Sequence, residues 1–341
     1  MQASFAIPGD LAMPTGGYGY ARRLLVELPD QGIDIRHVTL PGGFPFPDNA
    51  QAEEAGQTLA NLPEGEPVLI DGLAGGALPR DMLLKIGGPA VMLCHHPLGM
   101  ESGLSDAESQ RLIENERHAL AACDHVITTS HATARTLARE FGIAEDGITV
   151  ALPGTEPAPR ASADGPCRIL SVGSLSRRKR HHLLIDALSR HRDHEWTLRI
   201  AGPAVDESVH AELTAQIERL GLQNRVRLLG SLTSEEIATA YQNADLFALA
   251  SEYEGFGMAF TEAMSHGLPT VGTRCTAVEE ATAGGAFLVS DDDFPSALGA
   301  LIANPDERNR WAERAWQAAQ TFLRWDQTAA IVAGVLREVA E

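Results

Sequence analysis

Asp245-Leu246-Phe247-Ala248-Leu249-Ala250 is followed, three residues on, by Glu254-Gly255-Phe256-Gly257-Met258-Ala259-Phe260-Thr261-Glu262. The first run is short, apolar and continuous, the pattern of a buried strand. Residues 258–266 read as a helix, and Gly267 and Pro269 carry its stop signals. The glycine-rich turn is therefore a strand-to-helix loop, and the helix N-terminus points at whatever the loop holds. Such a terminus offers unpaired N–H groups and a partial positive charge, and both suit a phosphate. Glu254 and Glu262 stand eight positions apart and can accept hydrogen bonds from vicinal hydroxyls of a sugar or ribose. Phosphate together with sugar is the chemistry of a nucleotide-sugar.

The same alternation extends through the chain. Candidate strands fall at 4–7, 35–40, 68–71, 90–94, 125–129 and 148–152, and again at 168–172, 197–201, 226–229, 246–250, 269–272 and 286–289. Helical spacing covers 19–28, 105–122, 206–220 and 234–243, with Val209, Leu213, Ile217 and Leu220 on one stripe. Such alternation argues for parallel sheets covered on both faces. The stretch 153–166, PGTEPAPRASADGP, has no apolar period and reads as an inter-domain linker. The expected fold class is α/β: two doubly wound Rossmann-like domains with a cleft between them, ligands lying outside the carboxyl ends of the strands. The expected bounds are 1–155 for the first domain, 156–166 for the linker, 167–320 for the second and 321–341 for a terminal helix. The tail 309–341 is helical in pattern and carries Trp311, Trp316 and Trp325.

Three other stretches can carry chemistry. In Val172-Gly173-Ser174-Leu175-Ser176-Arg177-Arg178-Lys179-Arg180 a strand ends, and a loop with four consecutive cations leads into an amphipathic helix. Cations in such a loop can neutralise a departing diphosphate; a basic tetrad can equally be a solvated face. Met13-Pro14-Thr15-Gly16-Gly17-Tyr18-Gly19 places three glycines between a strand and a helix, which permits a tight turn and close backbone approach. Its spacing is not that of a dinucleotide fingerprint. Cys94-His95-His96-Pro97 ends a strand where a ligand is expected, although a lone histidine is commonly structural. Adjacent histidines on a strand point apart, so metal binding is not expected. Glu101 reads as an acceptor contact or a solvated carboxylate. Ser130 and either Thr233 or Ser234 read as helix caps, with Glu236 favourable in the first turn.

In these motifs the chain resembles the retaining glycosyltransferases of family four, whose mark is Glu-x7-Glu. The resemblance is strongest over 168–273, weaker over 90–155 and weakest over 30–85. It implies the GT-B arrangement, a last helix crossing back onto the first domain near 323–326, and a donor site needing no metal or other cofactor. Glu254, Gly255, Phe256, Gly257 and Met258 match residues that hold the donor sugar and phosphate, and Glu262 matches a ribose ligand. Lys179 matches the phosphate lysine. Many members carry arginine directly after the glycine equivalent to Gly173; here Ser174 stands there, and Arg178 is inferred to supply the charge. Ser231 and Leu232 match a segment that lines the nucleotide base through backbone groups. Gly16 and Gly17 match a pair that touches the donor phosphates, and His95, or failing it His96, matches a histidine at the donor sugar. The implied reaction moves a sugar from a nucleotide-diphosphate sugar, a UDP- or GDP-sugar by expectation, to a hydroxyl of a sugar, glycolipid or small-molecule acceptor. A sugar-nucleotide epimerase and a non-catalytic sugar-nucleotide binder stay open; a phosphorylase would need a far longer chain.

Bulk properties narrow the partners. Lys and Arg total 27 against 46 Asp and Glu, a net charge of −19, and the first 160 residues alone carry 10 basic and 21 acidic side chains. This disfavours nucleic acid and avid docking to an anionic membrane. At 44% hydrophobic the chain is not disordered. The four cysteines, Cys94, Cys123, Cys167 and Cys275, are scattered without a C-x-x-C pair, which suggests reduced thiols in a cytoplasm. No leader pattern or spanning apolar run is read. Oligomeric state is not legible.

Overall fold

The computed structural model describes residues 1–161 and 166–341. Two compact units divide it, one comprising Met1–Gly154 and Leu323–Glu341, the other Thr155–Phe322. Of the expected linker, residues 162–165 lie outside the described residues. No helix among the described residues is long and apolar enough to cross a membrane.

The first unit holds six parallel strands, β1 (Gln2–Pro8), β2 (Asp34–Leu40), β3 (Val68–Asp71), β4 (Ala90–Cys94), β5 (His125–Thr128) and β6 (Ile148–Val150). Their order in the sheet is β2-β1-β3-β4-β5-β6. Every residue of β3 and β4 is buried, as a sheet covered on both faces requires. Between the strands run α1 (Gly16–Glu27), α2 (Asn49–Ala60), α3 (Gly72–Gly75), α4 (Arg80–Leu83), α5 (Asp106–Leu120) and α6 (His131–Thr136). Side chains start four of them: Asp48 and Gln51 form a capping box on α2, Asp71 caps α3, Ser105 and Glu108 form a box on α5, and Ser130 caps α6. The box on α2 was a visible signal that the sequence reading passed over.

The second unit repeats the design with β7 (Cys167–Val172), β8 (Trp196–Ala201), β9 (Val226–Gly230), β10 (Leu246–Leu249), β11 (Thr270–Thr273) and β12 (Phe287–Val289), ordered β12-β11-β10-β7-β8-β9. Its helices are α7 (His181–Ser189), α8 (Glu207–Arg219), α9 (Ser234–Gln242), α10 (Met258–Ser265), α11 (Thr276–Thr282), α12 (Phe294–Ala303) and α13 (Pro305–Ala319). Thr233, not Ser234, caps α9, in a capping box with Glu236. One core, around Leu184, Leu198, Leu213, Leu246 and Leu298, lies on one side of the sheet, and another, around Tyr241, Phe247 and Phe260, on the other.

One expectation is corrected. The glycines at 16, 17 and 19 do not form a turn; they belong to α1 itself, which begins three residues earlier than its apolar period suggested, and none has positive φ. The tail 309–341, helical in pattern, holds parts of two helices. α13 ends at Ala319 and α14 (Trp325–Glu338) begins after a break, where Arg324 is extended and its N–H donates to Gln327 Oε1 at 2.8 Å. α14 belongs to the first unit, where Trp325 meets Tyr20 edge-on at 5.5 Å and Thr328 donates to the Leu152 carbonyl at 2.7 Å. Gly154 makes this join possible, since a Cβ there would sit 2.4 Å from Trp325 N and 2.6 Å from its Cα. Those are backbone atoms and cannot move alone. Gly154→Ala should therefore lower stability by about 1–3 kcal/mol, read by thermal unfolding; an unchanged midpoint would mean that the junction is loose.

Candidate active site

In the second unit the sheet order reverses at β7 and β10, which pair directly through Leu246 with Ile169 and Phe247 with Leu170. Ligands in open parallel sheets bind outside the carboxyl ends at such a switch point. The two strongest sequence motifs emerge there side by side. After β7 come Gly173, Ser174, a tight turn over Arg177–Lys179, and Arg180 in the left-handed region at φ 45. After β10 comes the loop 250–257, which ends in Gly257 at φ 112. That φ favours glycine, and a Cβ would also crowd Val278 at 3.1 Å. No side chain caps α10 after Gly257, so its first amides carry no side-chain acceptor.

The loops are tied through Glu254. Its Oε1 accepts from Lys179 Nζ at 2.5 Å and Ser251 Oγ at 2.6 Å, and its Oε2 accepts from Arg178 at 3.2 Å. Arg178 also donates to the Tyr253 carbonyl at 2.8 Å, and the Glu252 N–H donates to the Arg178 carbonyl at 2.9 Å. The four consecutive cations thus part company. Arg178 and Lys179 meet Glu254, Arg177 turns to Glu212, and Arg180 pairs with Asp291 and donates to the Ala250 carbonyl. Arg178 and Lys179 are thus held in a largely buried ion-pair cluster and do not form a solvated face. Behind them His181 is buried beside the Gly173 carbonyl, 3.3 Å from Nε2; burial first, then the charge of Lys179, lowers it to about 4. The Lys179 stem runs past Gly173, where a Cβ would lie 3.1 Å from it.

The two glutamates of the motif have opposite environments. Burial would raise Glu254, but the charges of Lys179 and Arg178 and the bonds from Lys179 and Ser251 outweigh it and hold the carboxyl down at about 2. Stability from this group is present above its ordinary 4.5 and is lost as pH falls through about 2. Glu262, one turn into α10, is raised to about 6 by burial, against the opposing bond from Tyr241 and charge of Lys179. Tyr241 donates to it at 3.0 Å and stacks on His266 at 5.3 Å. Here the sign reverses: its contribution is full below 4.5 and is lost as pH rises through about 6. Glu262→Gln should flatten the decline of melting temperature between those two values; an undiminished slope would place the titrating group elsewhere.

In the first unit His95 follows β4. Its Nε2 is buried without a hydrogen-bond partner among the described residues, 3.9 Å from Asp71 Oδ2 at the end of β3. Burial, then His96, lowers the imidazole to about 4, and burial raises Asp71 to about 6 against its bond from the Leu73 N–H. Both groups are pushed toward neutrality, so this near contact is not an ion pair at neutral pH. Tyr20 meets the ring edge-on at 5.4 Å, and a Cβ on Gly17 would lie 3.4 Å from it. Gly17 is therefore close to His95, and Gly16 stands exposed at the start of α1, which has no side-chain cap. His96 turns to Glu101 at 3.1 Å. This pair separates His95 from its fallback and gives Glu101 a partner.

The family profile described as Glycosyl transferases group 1 matches residues 155–318, and that described as Glycosyltransferase Family 4 matches residues 67–158. Together they run without a gap over both motif regions. The chain belongs to glycosyltransferase family 4. Among curated relatives, mannosylfructose-phosphate synthase of Agrobacterium fabrum is 29% identical over 220 residues, 58% of this chain and 48% of that protein. D-inositol 3-phosphate glycosyltransferase of Corynebacterium urealyticum is 34% identical over 169 residues, 46% of this chain and 40% of that one. These matches span less than half the length of either relative. Anabaena HepE, solved with UDP and glucose, superposes with a TM-score of 0.80 at 19% identity, covering 99% of this chain and 100% of that one. The fold is GT-B.

Within this family 4 chain, several candidates have less support from packing. Ser231 is exposed and Leu232 half-buried in the loop between β9 and α9, so any base contact there rests on backbone groups. Gly255 is half-buried and Phe256 is buried, 8% exposed, and Ser174 lies half-buried beside Gly173. Sequence reasoning passed over Ser251, Tyr241, Asp291, Asp71 and Tyr20. No local pattern marks them; each reaches its partner across at least one intervening element, apart from Ser251, which lies three residues before Glu254.

Proposed function

We propose that the chain transfers a sugar from a nucleotide-diphosphate sugar to an acceptor hydroxyl, with retention of configuration and without a metal. The observation that carries this reading is the meeting of Arg178 and Lys179 on Glu254 beside the uncapped start of α10, at the carboxyl ends of β7 and β10. When donor binds, the diphosphate takes up the cations and the α10 amides, and Glu254 is released to accept sugar hydroxyls. Glu262 accepts from the ribose, and backbone groups near Ser231 and Leu232 meet the base. His95, neutral at pH 7, contacts the sugar as the resemblance implies, with Gly16 and Gly17 near the phosphates. The bond from the anomeric carbon to the phosphate oxygen breaks as the acceptor oxygen bonds on the same face. The acceptor proton passes to the departing diphosphate, whose charge Arg178 and Lys179 offset.

The Anabaena structure with UDP and glucose supports a UDP-sugar as donor. The relatives named for D-inositol 3-phosphate and mannosylfructose-phosphate support a small polyhydroxylated acceptor as one candidate class. The four cysteines are free, in keeping with a reducing cytoplasm. The test is a thermal-shift panel of UDP-, GDP-, ADP- and dTDP-sugars with their free diphosphates, with and without a chelator. Native-state binding raises the midpoint by mass action. A shift for one base, unchanged by chelator, is expected; no shift for any donor, or one abolished by chelator, would refute the donor site as drawn.

A further inference from the structure

Glu116 lies in the interior of the first unit on α5, 1% exposed. A carboxyl is costly to bury, so its partners must explain its place. Its Oε2 accepts the Leu98 N–H at 2.8 Å, and its Oε1 lies 3.9 Å from the Cys94 thiol. Cys94 is the last residue of β4, and Leu98 opens the short turn Leu98–Met100. The two contacts therefore straddle His95, His96 and Pro97. Pro97 has no N–H to offer, so Leu98 supplies the first backbone donor beyond the histidines.

Other bonds complete the hold. Farther along the loop, Ser109 Oγ, also on α5, donates to the Gly99 carbonyl at 2.6 Å. On the near side, the Thr133 and Thr129 hydroxyls donate to the His95 carbonyl at 3.3 and 3.4 Å. The Glu116 carboxyl is raised to about 8 by burial, against the bonds from Leu98 and Cys94, so it is a neutral acid at pH 7. A neutral acid keeps a carbonyl oxygen for the Leu98 N–H without leaving a buried charge. An apolar side chain of the same size would leave that N–H unpaired.

We propose that Glu116 is the positioning residue for His95, clamping the loop between Cys94 and Leu98 so that the imidazole stands fixed for the sugar-transfer step. This rests on the reading of His95 as a sugar contact. The groups facing the ring are Asp71, His96 and Tyr20; none contacts Glu116 directly in the hydrogen bonds of the clamp.

The test uses the full chain, with UDP-glucose as probe. Its slow hydrolysis is followed as UDP release, and the His95 ring is titrated by NMR. In the parent chain His95, held down at about 4 by burial, is expected to titrate there. Glu116→Met keeps the volume and removes the acceptor. It should move the His95 titration upward toward about 6.5 and cut UDP release about tenfold at saturating donor, with UDP affinity within about twofold. On a His95→Ala background the same change should cost no further turnover. Glu116→Gln, the isostere of the protonated acid, should leave both titration and turnover at parental values, and it carries the test if the methionine variant does not fold. A titration still near 4 in Glu116→Met, losses that multiply in the double variant, or a damaged Glu116→Gln would each overturn the clamp. If His95→Ala alone leaves UDP release unchanged, the role assigned to His95 is what fails, while the titration still decides whether Glu116 holds the ring.

Discussion

Glu254→Gln is expected to lose roughly a hundredfold or more in turnover while binding free UDP at least as tightly as the parent chain. The reason lies in what each oxygen accepts. Oε1 takes Lys179 and Ser251 together, and Oε2 takes Arg178. An amide can replace one of these oxygens; its NH2 group would face a cationic donor where the other stood, and two donors cannot bond each other. Two cations then lose their anion, and a bound diphosphate becomes their best partner. Steady-state turnover of UDP-glucose and calorimetric binding of UDP separate the effects. A variant that loses both equally would show that Glu254 merely braces the two loops. The same substitution removes a carboxyl held at about 2, so the acid limb of the stability curve between 4.5 and 2 should flatten.

Lys179→Ala is expected to weaken UDP binding by about tenfold to a hundredfold, the loss of a charge-assisted contact of about 1.5–3 kcal/mol. The structure adds a second consequence. Lys179 contributes the shortest bond to Glu254, and its charge also lowers Glu262. Without it burial gains ground at both carboxyls, and both should titrate higher. Arg178 and Ser251 still hold Glu254, so the fold should survive with a modest loss of stability. Calorimetry with UDP, donor sugar and no metal reads the first effect. Parental affinity in this variant would move the phosphate site away from the turn over Arg177–Lys179.

Much of this was legible in advance because parallel sheets write their strands as short apolar runs. The reading of 68–71 and 90–94 matches β3 and β4 residue for residue, since every side chain in them is buried. Helix starts were legible where a cap stands in sequence, as at Ser130 and Thr233. They were misjudged where glycine obscures the period, as at Gly16 and Gly17. The fate of Arg177 and Arg180 could not be read, because Glu212 and Asp291 stand far away in the chain.

The sequence by itself determined the alternating α/β character, the strand-to-helix loop at Glu254–Glu262, and the cationic loop after Gly173. These follow from local rules: apolar period and glycine freedom. The tertiary structure alone decided that β7 pairs with β10, which brings residues 75 positions apart to the 2.5 Å bond between Lys179 and Glu254. It alone set Glu254 at about 2 and Glu262 at about 6, though both are glutamates of one motif. It also placed Glu116 beneath the His95 loop. Strand order and ionisation depend on which distant side chains share a dry interior, and no local pattern records that.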